Sequence, residues 1–215
     1  MTQKVSCFDL DHTLLQVNSS FRFGAYLYKK GVFSFFAMLY LAGCYVLHSL
    51  HLISIPTLQN LIFKKLFLGR SYSEMHEHAH AFLDEYFYRI LYLPAITRLQ
   101  QVQQEGQYTV ILSSSPDFLV KLCADRLKVD AWAATEYALD QNNCFSKIST
   151  FMLGEDKAVY LKNLGEFLAI PIKDITAYSD SHLDLPFLHA AGTAVGVNPN
   201  KILRIVCEEN NWAIL

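Results

Sequence analysis

The spacing of apolar residues changes along the chain, and that change sets the fold class. Val5, Cys7 and Phe8 form a short strand-like run, broken by Asp9-Leu10-Asp11. From Asn18 to about Tyr92 the reading is helical. Asn18, Ser19 and Ser20 offer caps for a first helix and Gly31 a stop. An apolar stretch over Val32–Leu52 comes next, then a restart at Pro56 and a run through Leu58, Leu61, Ile62 and Leu66 to Gly69. Ser71 or Ser73 caps a fourth helix reaching about Leu91, with Pro94 after it. Beyond that point strands and helices alternate: strand-like Tyr108–Leu112, a helix starting near Pro116, a strand over Ala131–Thr135, and two β-like runs around the turn Asp140–Asn143. A helix over Lys157–Leu168 and strands at Ile175–Tyr178 and Ala194–Val197 complete the pattern. Alternating βα units predict an α/β fold with a doubly wound, mostly parallel sheet. The helical block after the first strand reads as an insertion. The expected division is a core of residues 1–17 and 93–215, with an all-helical cap of residues 18–92.

Charge is distributed as unevenly as period. The first 73 of the 215 residues carry seven Lys/Arg and only two Asp/Glu, within a formal net charge of −2. That excludes a uniformly basic nucleic-acid binder, and no nucleic-acid partner is expected. It leaves room for a local surface that meets anions or membrane. Five scattered cysteines without a C-x-x-C pair predict reduced, mostly buried thiols in a cytosolic setting. The opening Met1–Lys4 is polar, and no secretory signal is expected.

The two acids of the front third sit where chemistry is expected. Asp9 and Asp11 stand two apart at the carboxyl end of a buried strand, with Thr13 following. Strand ends of an open α/β sheet form its ligand crevice. Two carboxylates facing one crevice repel unless a cation or a shared proton lies between them. Oxygen-only ligands suit Mg²⁺, which takes one or two carboxylates together with waters and substrate phosphate. Ser113 ends the second strand-like run, and Ser115-Pro116 opens a helix. Hydroxyls and free N–H groups there would hold a phosphoryl oxygen, or Ser115 would simply cap the helix. Lys157 stands near a helix start, where the macrodipole disfavours it unless an anion pairs with it. Asp180 and Asp184 form a second acidic loop after a second strand.

These four elements, in this order, resemble the haloacid dehalogenase-like superfamily of phosphohydrolases. Asp9-Leu-Asp11-His-Thr13 resembles its first motif, Ser113 the second, Lys157 the third, and Asp180 with Asp184 the fourth. Ala134-Thr-Glu136, Gly154-Glu-Asp-Lys157, Asp184-Leu-Pro-Phe-Leu and Val197-Asn-Pro-Asn200 are similar to the subgroup of phosphoserine phosphatases and phosphatidylglycerophosphatase C. The resemblance implies a Rossmann-like core with a helical cap and a set of roles. Asp9 is the nucleophile that becomes an aspartyl-phosphate. Asp11 protonates the leaving oxygen and then activates water. Thr13 supports the loop, and Ser113, Ser114 and Lys157 bind the phosphoryl group. Mg²⁺ is held by the Asp9 carboxylate, the Asp11 carbonyl and Asp180, while Asp184 orients Lys157 or a metal-bound water. His12 and Ser179 stand where glycine is common in the family. Phosphoserine phosphatases carry a Glu nine residues after the nucleophile, to bind the substrate amine. Here that position is Asn18.

The cap carries the information about substrate. Gly31–Phe63 is thirty-three residues without a Lys, Arg, Asp or Glu. A single membrane span fails on topology, because Asp9 precedes the segment while Ser113, Lys157 and Asp180 follow it. Thirty-three residues are also short for two spans of about 20 and a turn. Two readings remain: an apolar cap core, or helices lying in a membrane interface. Aromatics from Phe21 to Tyr40, with Lys29-Lys30 and Lys64-Lys65 at the edges, suit peripheral attachment to anionic lipid on the cytoplasmic face. Such a cap would select a lipid headgroup phosphate such as phosphatidylglycerophosphate. The alternatives are a soluble phosphatase of a small metabolite, similar to histidinol phosphate or phosphoserine, and a membrane-bound interaction module with a relic site. Arg22 is a candidate for a second anionic group on the substrate, or a snorkelling helix residue. His76, His78 and His80 read as a solvated helix face, and Tyr86–Tyr88 as core. The sequence sets no oligomeric state.

Overall fold

The computed structural model describes residues 3–215. Strands β1 (Val5–Phe8), β2 (Tyr108–Pro116), β3 (Ala131–Leu139), β4 (Phe145–Thr150), β5 (Ile175–Ser179), β6 (Thr193–Gly196) and β7 (Ala213–Ile214) form one sheet in the order β4-β3-β2-β1-β5-β6-β7. Every pairing is parallel except the β3–β4 hairpin. The strand β1 lies between β2 and β5, so the winding reverses there and its carboxyl end opens into the crevice where such sheets bind ligands. The doubly wound α/β fold expected from the alternation is therefore observed.

Alternation of side chains explains why the sheet is covered on both faces. Val5, Cys7, Val110, Leu112, Ile175 and Ala177 point into one apolar cluster. That cluster is roofed by α7 (Gly154–Phe167), α8 (Leu185–Ala190) and α9 (Lys201–Glu209). Phe8, Ile111 and Tyr178 point the other way, into a larger cluster with α5 (Leu93–Gln104) and α6 (Asp117–Leu127). Phe8 and Tyr178 are register partners on adjacent strands, and their rings stack at 4.2 Å. Burying one such ring is worth about 1.5–3 kcal/mol.

Four helices lie between β1 and α5: α1 (Ser19–Lys29), α2 (Phe35–Ser49), α3 (Ile55–Leu66) and α4 (Tyr72–Tyr86). The chain leaves and re-enters the core through a two-stranded neck. There Gln16 N–H donates to Ile90 O at 2.7 Å, and Tyr92 N–H to Leu14 O at 2.9 Å. The helical block packs on the sheet without a seam. Phe63, Phe67, Tyr137, Phe145 and Phe118 share one aromatic cluster, with Phe63 and Tyr137 at 4.8 Å.

Several local expectations change. The fourth helix ends at Tyr86 rather than near Leu91, and a single tight turn, Phe87–Arg89, follows. Pro94 does not mark a stop: it sits in the first turn of α5, where its missing N–H costs nothing. The reading passed over α5, and also α8, α9 and β7. Of Tyr86–Tyr88 only Phe87 is buried, and Tyr88 is among the most exposed aromatics. Asn18, not Ser19 or Ser20, caps α1, accepting from Phe21 N–H at 2.8 Å. All five cysteines are free, and four are buried.

The uncharged segment forms α2 and most of α3. The buried side of α2 is narrow: Ala37, Leu41 and Cys44. Its other side shows Phe35, Phe36, Leu39, Val46 and Leu47 to solvent, Phe36 being 78% exposed. Among the described residues no helix is long and apolar enough to cross a membrane.

Candidate active site

The loop after β1 starts from a fixed backbone. Asp9 N–H donates to Tyr178 O at 2.9 Å, continuing the β1–β5 ladder by one residue. Residues Leu10–Leu14 then form one wide turn, closed by Leu15 N–H to Leu10 O at 2.9 Å. Within it His12 adopts φ 61°, ψ −1°, the left-handed region where glycine is at ease and histidine is tolerated. This accounts for the family's common Gly at that position. The turn swings Asp9, Asp11 and Thr13 over the sheet edge, and all three are buried.

Lys157 reaches this loop from the first turn of α7. Its ammonium, 2% exposed as a residue, contacts Asp9 Oδ1 at 2.6 Å and Asp184 Oδ2 at 2.8 Å. Ser179 Oγ donates to the same Asp184 oxygen at 2.7 Å. The site needs α7 close to the 182–184 loop, and Gly154 permits it: a Cβ there would run into the backbone carbonyl of Leu183. Thr13 Oγ1 accepts from Asp180 N–H at 3.0 Å and lies 3.3 Å from Asp180 Oδ1, joining the first and fourth motif loops.

Ser115 does not cap α6, for which Pro116 stands at the cap position without a side-chain bond. Its hydroxyl donates to Asp11 Oδ2 at 2.6 Å. With that proton committed, Ser115 Oγ can only accept from Ser20 Oγ, 2.6 Å away. Ser19 N–H, a free donor of the first turn of α1, binds the other Asp11 oxygen at 2.7 Å. Ser113 Oγ accepts from Ser115 N–H at 3.1 Å, which leaves its own proton free. Ser114 O accepts from Gln59 Nε2 at 3.0 Å. The roles of Ser19, Ser20 and Gln59 escaped the sequence reading, since no spacing rule links residues so distant in the chain. Arg22 stands apart from these groups. It lies exposed on α1, lining an open pocket with His12, Gln16, Val17, Asn18, Phe21 and Tyr45. His76 and His80 share a face of α4, with ring centroids 4.8 Å apart.

Electrostatics separate the carboxylates. Burial raises Asp9 well above the usual carboxylate range; Lys157 opposes this, and the charges of Asp184 and Asp180 add to it. Asp180 is raised to about 6, first by burial and then by Asp184, with His12 and the Thr13 hydroxyl opposing. Lys157 is held above its ordinary value, because Asp184 and Asp9 outweigh its desolvation. Asp9 and Asp184 thus share one ammonium while Asp180 has none among the described residues, a local excess of carboxylates that favours a cation. Among the described residues no three His, Cys, Asp or Glu side chains cluster tightly enough to enclose a metal by themselves. Mg²⁺ does not require that, since it binds through one or two carboxylates and completes its shell with carbonyl, water and phosphate oxygens. The donor set of Asp9, the Asp11 carbonyl and Asp180 is chemically suited to it.

Comparison with known proteins agrees with this frame. Residues 7–189 match the family of haloacid dehalogenase-like hydrolases. The chain is 27% identical to phosphoserine phosphatase SerB1 of Mycobacterium tuberculosis over 214 residues, 96% of this chain and 68% of that protein. It is 26% identical to histidinol-phosphatase of Neisseria meningitidis serogroup C, covering 99% and 98%. Two other mycobacterial relatives are matched over only 38% of their length. Among solved structures, a protein of unknown function from Bordetella pertussis Tohama I superposes with a TM-score of 0.89 at 19% identity, covering 100% of this chain and 99% of that one. The motif order, the sheet topology and the family match together identify the chain as a member of the haloacid dehalogenase-like hydrolases.

Proposed function

We propose that this hydrolase is a phosphomonoesterase working through an aspartyl-phosphate on Asp9. The observation that carries the reading is the contact between Lys157 Nζ and Asp9 Oδ1 at 2.6 Å. It holds one oxygen of Asp9, while Oδ2 takes no protein hydrogen bond among the described residues. That free oxygen attacks phosphorus, and the bond from phosphorus to the leaving oxygen breaks. Asp11 gives a proton to the leaving oxygen, then takes one from the water that attacks the acyl phosphate. Ser113 and Lys157 donate to the phosphoryl oxygens, with Ser114 beside them, and Thr13 ties the first-motif loop to Asp180. Asp184 is a positioning residue for Lys157. Bound Mg²⁺ would neutralise charge on the phosphoryl oxygens, held by Asp9, the Asp11 carbonyl and Asp180. Phosphatase-named relatives support the reaction class.

For the substrate we infer a lipid headgroup phosphate, such as that of phosphatidylglycerophosphate, met by a cap of residues 18–92 at the cytoplasmic membrane face. What supports this is the outward side of α2, with Phe35, Phe36, Leu39, Val46 and Leu47 exposed. Lys29, Lys30, Lys64 and Lys65 lie at the ends of the neighbouring helices. Exposed apolar side chains edged by Lys suit an interface with anionic lipid. The names of relatives favour a second reading, a soluble metabolite such as histidinol phosphate or phosphoserine. Turnover of phosphatidylglycerophosphate in vesicles, set against a panel of soluble phosphate esters, decides between them. A preference for any soluble ester would sink the lipid reading.

A further inference from the structure

An open pocket of about 500 Å³ lies between the first-motif loop, the start of α1 and α2. Its lining includes His12, Gln16, Asn18, Phe21, Arg22 and, from α2, Tyr45. The chain sets this pocket beside Asp11. His12 is the next residue, and Ser19 N–H, one residue past Asn18, binds Asp11 Oδ1 at 2.7 Å. Burial and then the charge of Asp11 raise the Tyr45 phenol above its ordinary value, so α2 also stands near that carboxylate. A leaving group that takes its proton from Asp11 therefore extends towards this pocket.

Arg22 supplies the one permanent charge of the lining, and no acid answers it. The chain has no Asp or Glu between His12 and Ser73, so α1, α2 and α3 carry none. Three other arginines are engaged: Arg70 with Val32 O, Arg98 with Tyr178 and Glu105, and Arg126 with Asp84. Arg22 is exposed, and its guanidinium makes no hydrogen bond or ion pair among the described residues.

Asn18 adds a donor. Its Oδ1 accepts from Phe21 N–H at 2.8 Å, which leaves Nδ2 uncommitted. Asn18 and Arg22 stand four apart and share one face of the helix start. The amino end of α1 carries a partial charge of the same sign. An unpaired guanidinium with an amide donor suits a carboxylate or a phosphate diester. An ammonium would meet no Asp or Glu in this lining.

Resting on the phosphomonoesterase reading above, we propose that Arg22 is a specificity residue that binds a second anionic group on the leaving alcohol, with Asn18 Nδ2 beside it. The substrate class is then a phosphate monoester whose leaving group carries a carboxylate or a phosphodiester and no ammonium. A phosphodiester presents the same chemistry in a free ester and in a lipid headgroup.

The test compares kcat/KM on the full-length chain with Mg²⁺. A matched soluble set is 3-phosphoglycerate, glycerol 3-phosphate and O-phosphoserine. The first two differ by carboxylate against hydroxymethyl, and the first and third by hydroxyl against ammonium. Phosphatidylglycerophosphate in vesicles and its deacylated headgroup carry the phosphodiester with and without the lipid. At least one of the two soluble anionic esters, 3-phosphoglycerate or the deacylated headgroup, should exceed glycerol 3-phosphate by roughly tenfold or more, the size of a hydrogen bond to a charged group. The advantage should lie mainly in KM and shrink as salt is raised. It should fall towards unity in Arg22→Gln and survive in part in Arg22→Lys, and O-phosphoserine should be poorer than 3-phosphoglycerate. Faster turnover of the vesicle substrate than of its deacylated headgroup identifies a lipid as the source, and the reverse a free ester. Glycerol 3-phosphate turned over as well as both soluble anionic esters, a ratio unchanged in Arg22→Gln, or O-phosphoserine preferred to 3-phosphoglycerate overturns the assignment of Arg22. Loss of p-nitrophenyl phosphate hydrolysis in Asp9→Asn, measured alongside, shows that the underlying reading still stands. Wild-type protein inactive on every ester, the aryl phosphate included, overturns both. Far-ultraviolet circular dichroism and a melting curve of Arg22→Gln verify that the variant is folded.

Discussion

Ser115 Oγ donates to Asp11 Oδ2 at 2.6 Å, joining residues 104 positions apart in the chain. The carboxylate proposed to move the proton is thus held on one oxygen by the second motif's loop and on the other by Ser19 N–H at 2.7 Å. The consequence is a specific kinetic signature for Ser115→Ala. Losing one hydrogen bond to a charged group should lower turnover of alkyl phosphates by about tenfold to a hundredfold. An aryl phosphate, whose leaving group needs little protonation, should lose much less. A plot of rate against leaving-group pKa checks this, and an equal loss on both classes would remove Ser115 from that role.

Asp9→Asn should lower phosphate-ester hydrolysis by at least about a thousandfold, since the amide is no nucleophile. Steady-state hydrolysis of p-nitrophenyl phosphate in Mg²⁺ is sufficient. Retained activity would exclude the covalent route.

Lys157→Met removes the ammonium shared by Asp9 and Asp184. Two buried carboxylates then lack a counter-charge, and a loss of about 3–5 kcal/mol is expected. Because unpaired buried carboxylates favour their protonated forms, the deficit should shrink as pH falls. Urea unfolding at several pH values measures it, and a deficit independent of pH would contradict the pairing.

Asp180 keeps its proton up to about 6 in the folded chain, against roughly 3.9 when unfolded. Between those values the folded state binds more protons. Without divalent cation, stability should therefore fall as pH rises through that window, and Asp180→Asn should weaken the dependence, leaving the part due to the raised Asp9. Added Mg²⁺ should raise Tm more at pH 7.5 than at pH 5, where protons compete for the carboxylates. Melting curves with and without chelator test both statements.

Phe36→Glu combined with Leu39→Glu alters only exposed positions of α2. Sedimentation with anionic vesicles should be lost. Hydrolysis of a soluble aryl phosphate should stay within roughly twofold, as for other surface changes. Vesicle binding that survives the double substitution would place the membrane contact elsewhere.

Much of the site was legible before any coordinates, for a local reason. A buried strand followed at once by Asp-x-Asp-x-Thr places acids at a sheet edge, and the resemblance to a four-motif family implied that Ser113, Lys157, Asp180 and Asp184 join them. Lys157 was legible because a cation near a helix start calls for an anion, and the structure gives it two. Pro94 misled because proline serves equally after one helix and inside the first turn of the next, and only packing decides between the two.

The sequence by itself determined the α/β class, the helical insertion after the first strand, and the residues that meet at the strand ends. Periodicity and strand-end chemistry are properties of neighbouring residues. Tertiary structure alone decided the rest. It turned Ser115 from a cap into a partner of Asp11, and turned the apolar side of α2 outward. Each of these depends on what lies across from a side chain. Helical spacing defines which residues share a face, but what covers that face depends on segments far away in the chain.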